Sequence, residues 1–418
     1  MMISLHKYLD DRTEESIRIL QELVRIPTVN PPGERYSQMI DLLFNICKGI
    51  GLEAEIYVVP DSVVKNHIGS SKWPRYNLIA RWDVGAKETV HFNAHYDVVP
   101  AGGKWRYENP FNPTEHGTHV YGRGTADMKG SITALLSAIE ALKTCRIDPA
   151  FNIECSFTAD EETGGFLGAG EIIRQGLCNA DYAVVCEGAG GTKVGCGHNG
   201  VLWVEVDVEG KSAHASSHKN GINAFESMVA VVNGLQEYKD SLEAGTKIYT
   251  DFDGATRNPS ITIGGIFSGD EGQKINTVPD SARFSIDRRL VPNEGMKKVE
   301  TDLLSEIAHV GQALDPAKVR AKTVMSIDPC IVDPEALFCQ SFGSVVGSVR
   351  RSKVHYGITS GFTDLHYFVE NAGIPGIGYG VNGESIHGVN ERVRVSDIIM
   401  TARIYAEFIK RGLGGEAC

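Results

Sequence analysis

Along most of this chain, short apolar runs of strand character alternate with segments of helical apolar spacing. That rhythm restricts it to an α/β layer with a largely parallel sheet. EAEIYVV (53–59), YNLIARW (76–82) and TVHFNAHYDVV (89–99) read as strands. DMKGSITALLSAIEALK reads as a helix from Asp127, NIECSF as a strand, 166–175 as a helix and YAVVC as a strand. Ahead of them, 14–26 is helical and stops before Pro27, and a second helix runs through about 35–50. The rhythm changes at Gly200. VLWVEVDVEG is a strand, 222–238 a helix, SITIGGIF and ARFSIDRRL strands, 295–311 a helix and VRAKTVMSI a strand. This β-α-β-β-α-β order is the ferredoxin-like pattern. After about residue 330 the first rhythm resumes, ending in the helix VSDIIMTARIYAEFIKRG. The expected organisation is one α/β domain, 1–199 and 329–418, interrupted by an α+β domain over 200–328.

Composition narrows the partners. The 418 residues carry a net charge of −12, which argues against nucleic acid or an anionic membrane surface. No stretch approaches the roughly 18 uninterrupted apolar residues of a membrane span. The nine cysteines form no CxxC pair and several lie in apolar patterns, as in a reducing compartment. MMISLHKYLDDRTEE lacks the apolar core of a signal peptide, so a cytoplasmic protein is expected.

TADEETGG (158–165) sets three carboxylates side by side where a strand ends. In isolation this is a solvated acidic turn. Other strand ends change the reading. HFNAHYDVVP places His95 and Asp97 two apart, hence on one face of a strand. YGRGTADMKG brings Asp127 to a glycine-bearing turn, Glu187 follows YAVVC, and ESIHGVNE offers His387. Ligands of open α/β sheets bind outside the carboxyl ends of the strands, where these residues gather. Two histidines with several carboxylates suit a pair of divalent cations, zinc first, with manganese or cobalt as alternatives. HExxH and GxSxG are absent. GYGVNG (378–383) matches GxGxxG but is followed by ESIHGVNE, not a helix, and EGKS (209–212) lacks the leading glycine of a P-loop.

HYDVVP, NPF, VYGRGTADMKG, ADEETGG, GKSAHAS, NTVPDSARFSIDRR and IHGVNE follow in order over nearly the whole chain. The set resembles the dinuclear zinc aminoacylase/carboxypeptidase family, which includes acetylornithine deacetylase and succinyl-diaminopimelate desuccinylase. The resemblance implies a zinc-peptidase-like catalytic domain with an inserted lid and dimerisation domain. It implies His95 and Glu187 on one metal, Glu162 and His387 on the other, and Asp127 bridging both, followed by a cis peptide. Asp97 would orient His95, and Glu161 would be the general base. In the lid, His214 would cross a dimer interface to support the oxyanion, while Asn276 and Arg289 would hold a substrate carboxylate. Strand alternation allows only one of Arg288 and Arg289 to point inward. Ser360, Gly361 and Thr363 would belong to a substrate loop. GAGG after Glu187, and His218 where relatives often have proline, depart from the family pattern and bear on substrate identity.

The function implied is a di-metal amidohydrolase that removes an acyl group from an N-acyl amino acid or similar small carboxylate. A carboxypeptidase or dipeptidase of the same architecture is the near alternative. Deamination of an aromatic amino-carboxylate, another C–N hydrolysis, lies further off. A non-catalytic metal binder comes last, since it has no need of Glu161.

Overall fold

The computed structural model describes residues 4–244, 249–269, 272 and 274–414. They fall into two compact units. One takes in the described residues up to Gly197, then Val332–Thr359, then those from Thr363 onward; the other takes His198–Ile331 and Ser360–Phe362.

The first unit is organised by a large mixed sheet. Asn152–Thr158, Thr89–His95, Tyr182–Gly190 and Gly376–Gly380 lie side by side and parallel at its centre. Glu53–Val58 and Tyr76–Trp82 add antiparallel strands on one flank, and Lys193–His198 adds one on the other. Three of the central strands are buried along nearly their whole length, and the fourth, Tyr182–Gly190, over Ala183–Cys186. Thr89–His95 and Asn152–Thr158 nonetheless alternate apolar with polar residues, and the buried polar ones satisfy one another across the pair: His91 with Glu154 and Ser156, and Asn93 with Ser156. Helix Lys129–Thr144 is buried almost all round and packs against Thr13–Val24 and Val395–Arg411. Its Ile132, Leu135, Leu136, Ile139 and Leu142 are fully buried. Each such side chain contributes roughly 1.5–3 kcal/mol of transfer free energy.

This helix starts at Lys129, not Asp127, and the Asp127–Met128 peptide before it is cis. The apolar run 89–99 pairs as a strand only to His95, and the run at YAVVC continues to Gly190.

The second unit is a four-stranded antiparallel sheet in the order Ser260–Gly269, Ser281–Leu290, Gly200–Glu209, Lys318–Ile327. Ala282, Phe284, Ile286, Arg288 and Leu290 alternate inward along one strand and pack with the apolar faces of Ala224–Gly234 and Met296–Gln312. The single helix expected over 222–238 is two, Ala224–Gly234 and Gln236–Glu243. The break follows an Asn-Gly pair, both weak helix formers. Gly234 also lies against Val310, whose Cγ1 would be 2.5 Å from an added Cβ.

All eight described cysteines are free, and Cys418 lies outside the described residues. Among the described residues no helix is long and apolar enough to cross a membrane.

Candidate metal centre

At the carboxyl ends of the central strands, six side chains predicted from the sequence converge. His95 ends strand Thr89–His95 fully buried, and its Nε2 lies 3.0 Å from Asp127 Oδ1 and 3.8 Å from Glu187 Oε2. His387 approaches from the other side, with Nε2 3.1 Å from Asp127 Oδ2 and 3.0 Å from Glu162 Oε2. Asp127 therefore presents one oxygen to each imidazole. Glu161 Oε2 stands 3.9 Å from His95 Nε2.

The three carboxylates of TADEETGG separate completely. Asp160 turns into a buried pocket, where its oxygens accept from Arg75 Nε (2.6 Å), the Tyr36 hydroxyl (2.9 Å) and Asn30 Nδ2 (3.1 Å). Its backbone is left-handed (φ 60), which starts the tight 3₁₀ turn carrying Glu161 and Glu162. Gly165 closes that turn at φ +69; a Cβ there would sit 2.1 Å from Asp364 Oδ1. Only glycine fits both the backbone and the space.

Asp97 meets His95 through its backbone as well, its carbonyl oxygen lying 3.1 Å from His95 Nδ1. Its Oδ1 lies 3.4 Å from His95 Nδ1 and also accepts from the Glu161 backbone N–H (3.2 Å). Its Oδ2 accepts from the Glu162 N–H (3.3 Å) and from Asn30 Nδ2 (3.0 Å). One buried carboxylate thus ties His95 to both glutamates.

Electrostatics mark the cluster as short of positive charge. Among the described residues, no Lys or Arg forms an ion pair with Asp127, Glu161, Glu162 or Glu187. Burial, then the charge of neighbouring carboxylates, pushes the Glu161 carboxyl well up and Glu162 up to about 7. Glu187 is also raised, chiefly by burial. Hydrogen bonds to Asp127 and Glu162 lift His387 to about 10. Burial opposes the same effect at His95, but Asp127, Asp97 and Glu187 still raise it. The cluster thus holds protons where cations would serve. Glu162 Oε1 and Glu187 Oε1 are buried with no hydrogen-bond partner. Such orphaned acceptors, with two imidazoles and no ammonium or guanidinium, fit divalent metal ions.

The family model for peptidase family M20/M25/M40 matches residues 91–411. The chain belongs to this family. It is therefore a metal-dependent hydrolase acting on C–N bonds, as the ordered motifs implied. The chain is similar to the succinyl-diaminopimelate desuccinylase of Rickettsia felis, 26% identical, with 94% of this chain and 98% of that protein covered. Its fold resembles a di-peptidase from Saccharomyces cerevisiae at a TM-score of 0.80 and 15% identity, covering 97% of each chain. It also resembles a Bacillus subtilis protein described as a dinuclear metal binding peptidase, at a TM-score of 0.67 and 15% identity, covering 97% of this chain and 100% of that one.

The remaining predicted residues are not part of this cluster. His214 and Asn276 come together in the second unit through the short ladder of Ala213–His214 with Thr277–Val278, where the Ala215 N–H donates to Asn276 O (2.9 Å). His214 is exposed, and its Nδ1 contacts Ser216 Oγ at 2.8 Å. Arg288 is the inward arginine and is fully buried against Glu294. Arg289 points the other way and forms a two-pronged pair with Asp287, 2.8 Å at each prong. Ser360 and Gly361 fall with the second unit, whereas Thr363 is buried in the first.

Several supporting residues carried no role in the sequence reading. Glu391, which ends IHGVNE, accepts the Ala126 N–H at 2.8 Å and the Asp127 N–H at 3.1 Å through Oε1, while Oε2 pairs with Arg123 at 2.6 Å. Arg123 also donates to His387 O (3.1 Å). This buried pair therefore fixes the segments bearing Asp127 and His387. Changing Glu391→Gln is expected to weaken metal binding roughly 10–100-fold. Titration against a competing chelator reads this directly; unchanged affinity would remove Glu391 from the support.

Proposed function

We propose that His95, Asp127 and Glu187 hold one divalent cation and His387, Asp127 and Glu162 a second. The observation that carries this reading is Asp127 itself, whose two oxygens lie 3.0 Å from His95 and 3.1 Å from His387. Zinc suits the donors first, with manganese or cobalt as alternatives. Two cations bound there supply Lewis acidity, lowering the pKa of water and polarising a carbonyl. Each set has three protein donors without Glu161, which leaves that carboxylate free as the base. Glu161 takes a proton from the attacking water, whose oxygen adds to the acyl carbon. The C–N bond then breaks, and Glu161 passes the proton to the departing amine.

In this reading the substrate is an N-acyl amino acid or similar small carboxylate, of the deacetylase or desuccinylase type. The desuccinylase likeness over 94% of the chain supports it. A carboxypeptidase or dipeptidase is the second reading, favoured by a fold shared with a yeast di-peptidase. The second unit would supply His214 to the oxyanion of a partner copy's site, with Asn276, Arg289 and the Ser360–Thr363 loop taking the substrate carboxylate. Ile266, Phe267 and Val324 on that unit are well exposed, the kind of apolar surface a homodimer interface uses. A cytoplasmic setting agrees with the free cysteines.

The deciding experiment measures amine release from N-acetyl, N-succinyl and N-aroyl amino acids and from dipeptides, with metal-loaded enzyme. Turnover of N-acyl amino acids is expected. Dipeptide hydrolysis alone would establish the second reading, and silence across the panel would overturn both. Diluting the enzyme until it is monomeric should abolish turnover; full activity as a monomer would refute the role of His214.

A further inference from the structure

A second cluster of ligand-type side chains lies away from this centre. His91 is fully buried on strand Thr89–His95, four residues before His95 and so nearer the amino end of the strand. Glu154 is its register partner on the neighbouring parallel strand. Cys178, half-buried, comes from the loop between helix Ala169–Arg174 and strand Tyr182–Gly190. One ligand atom from each of the three lies within 4.8 Å of the others.

From this arrangement we infer that His91, Glu154 and Cys178 form a further metal site, suited to zinc or another thiophilic divalent cation. His91 Nδ1 is 3.5 Å from Cys178 Sγ and 2.9 Å from Glu154 Oε1. Tetrahedral zinc with bonds of about 2.0–2.3 Å sets its ligand atoms roughly 3.3–3.6 Å apart. The nitrogen–sulfur edge already matches, and the nitrogen–oxygen edge has only to open by a few tenths of an ångström. Nδ1 thus faces both the carboxylate and the sulfur. A cation bound there takes the place of any proton on Nδ1, and the thiol proton leaves with it.

The surroundings are those of a built ligand set. His91 Nε2 is 2.7 Å from Ser156 Oγ, the outer hydrogen bond by which a ligating histidine has its ring and tautomer fixed. Glu154 is aimed by Arg81 Nε on Oε2 (2.7 Å) and by the Asn179 N–H on Oε1 (3.0 Å). Arg81 also donates to Leu177 O (2.8 Å), which anchors the loop next to Cys178. The partial exposure of Cys178 leaves an entry path and room for a fourth ligand from solvent. A sulfur donor also separates this site chemically from the catalytic cluster, which offers only nitrogen and oxygen.

Cobalt(II) substitution of the full chain tests the inference, because only a thiolate ligand gives sulfur-to-cobalt charge-transfer absorption in the near ultraviolet. Wild type is expected to show that band, and Cys178→Ser to lose it together with one equivalent of bound metal. Cys178→Ala should behave as Cys178→Ser does. Asp127→Asn should lower the stoichiometry without touching the band, so failure of the catalytic reading and failure of this one are separable. A band that persists in Cys178→Ser, or wild type saturated with cobalt without a band, would overturn the site. The cluster would then be a His91–Glu154–Arg81 ion-pair network joining the strands, buried at His91 and Glu154 and open to solvent at Arg81.

Discussion

Glu161→Gln should cost on the order of 10²–10⁴ in turnover or more while both metal ions stay bound. Glutamine has the size and shape of glutamate but cannot accept the proton of an attacking water. The backbone that carries residue 161 is held by Asp97 through the N–H groups of both 161 and 162, bonds the substitution leaves alone. Burial and the charge of Glu187 push the Glu161 carboxyl upward in the metal-free protein. Parallel measurement of metal content and turnover separates the possible roles. Loss of one metal would make Glu161 a ligand, an assignment its 3.9 Å approach to His95 otherwise permits. Near wild-type turnover would leave the reaction without its proposed base.

Much of this centre was legible because strand periodicity and chain order are local signals. His95 ends its strand and Asp97 follows two residues on, so the same strand end delivers both. Alternation alone separates Arg288 from Arg289, and the fully buried Arg288 follows the inward pattern of Phe284 and Ile286. The supporting bonds were hidden for the opposite reason. Asn30 reaches Asp97 and Asp160 from a distant segment, and Glu391 reaches back to the Ala126 and Asp127 amides. Nothing in the spacing of either residue announces a partner so far away in sequence. The fates of Asp160, Glu161 and Glu162 were likewise beyond local pattern. Separating them takes a left-handed backbone at Asp160 and a pocket assembled from Tyr36, Arg75 and Asn30. Gly234, at the break between two helices, also lies against Val310, a close approach that helical periodicity cannot register.

Removing the metal ions should abolish hydrolysis and lower the melting temperature, and the drop should be larger at about pH 8 than at about pH 6. In the metal-free protein, Glu162 titrates at about 7, above its ordinary 4.5, through burial and the nearby charge of Asp127. A carboxyl raised in the folded state adds stability below its unfolded value and loses it as pH climbs through the folded value. Glu161 and Glu187 shift in the same direction. His387, lifted from 6.5 to about 10 by Asp127 and Glu162, likewise contributes fully below its unfolded value and loses that contribution as pH rises toward 10. Asp127 runs the other way. Against the pull of burial, His387 and His95 hold it below the ordinary carboxylate range, so its contribution is lost only in acid. Raising the pH therefore weakens the metal-free cluster while it frees the ligands that cations need. Each cation present at a hundred to a thousand times its dissociation constant adds about 3–4 kcal/mol, so two of them on a chain of 418 residues are expected to give a difference on the order of 6–9 °C at the higher pH. Melting curves of metal-loaded and chelator-treated enzyme at the two pH values check this. A gap that narrows as pH rises would show that these carboxylates and imidazoles are not what the cations hold together.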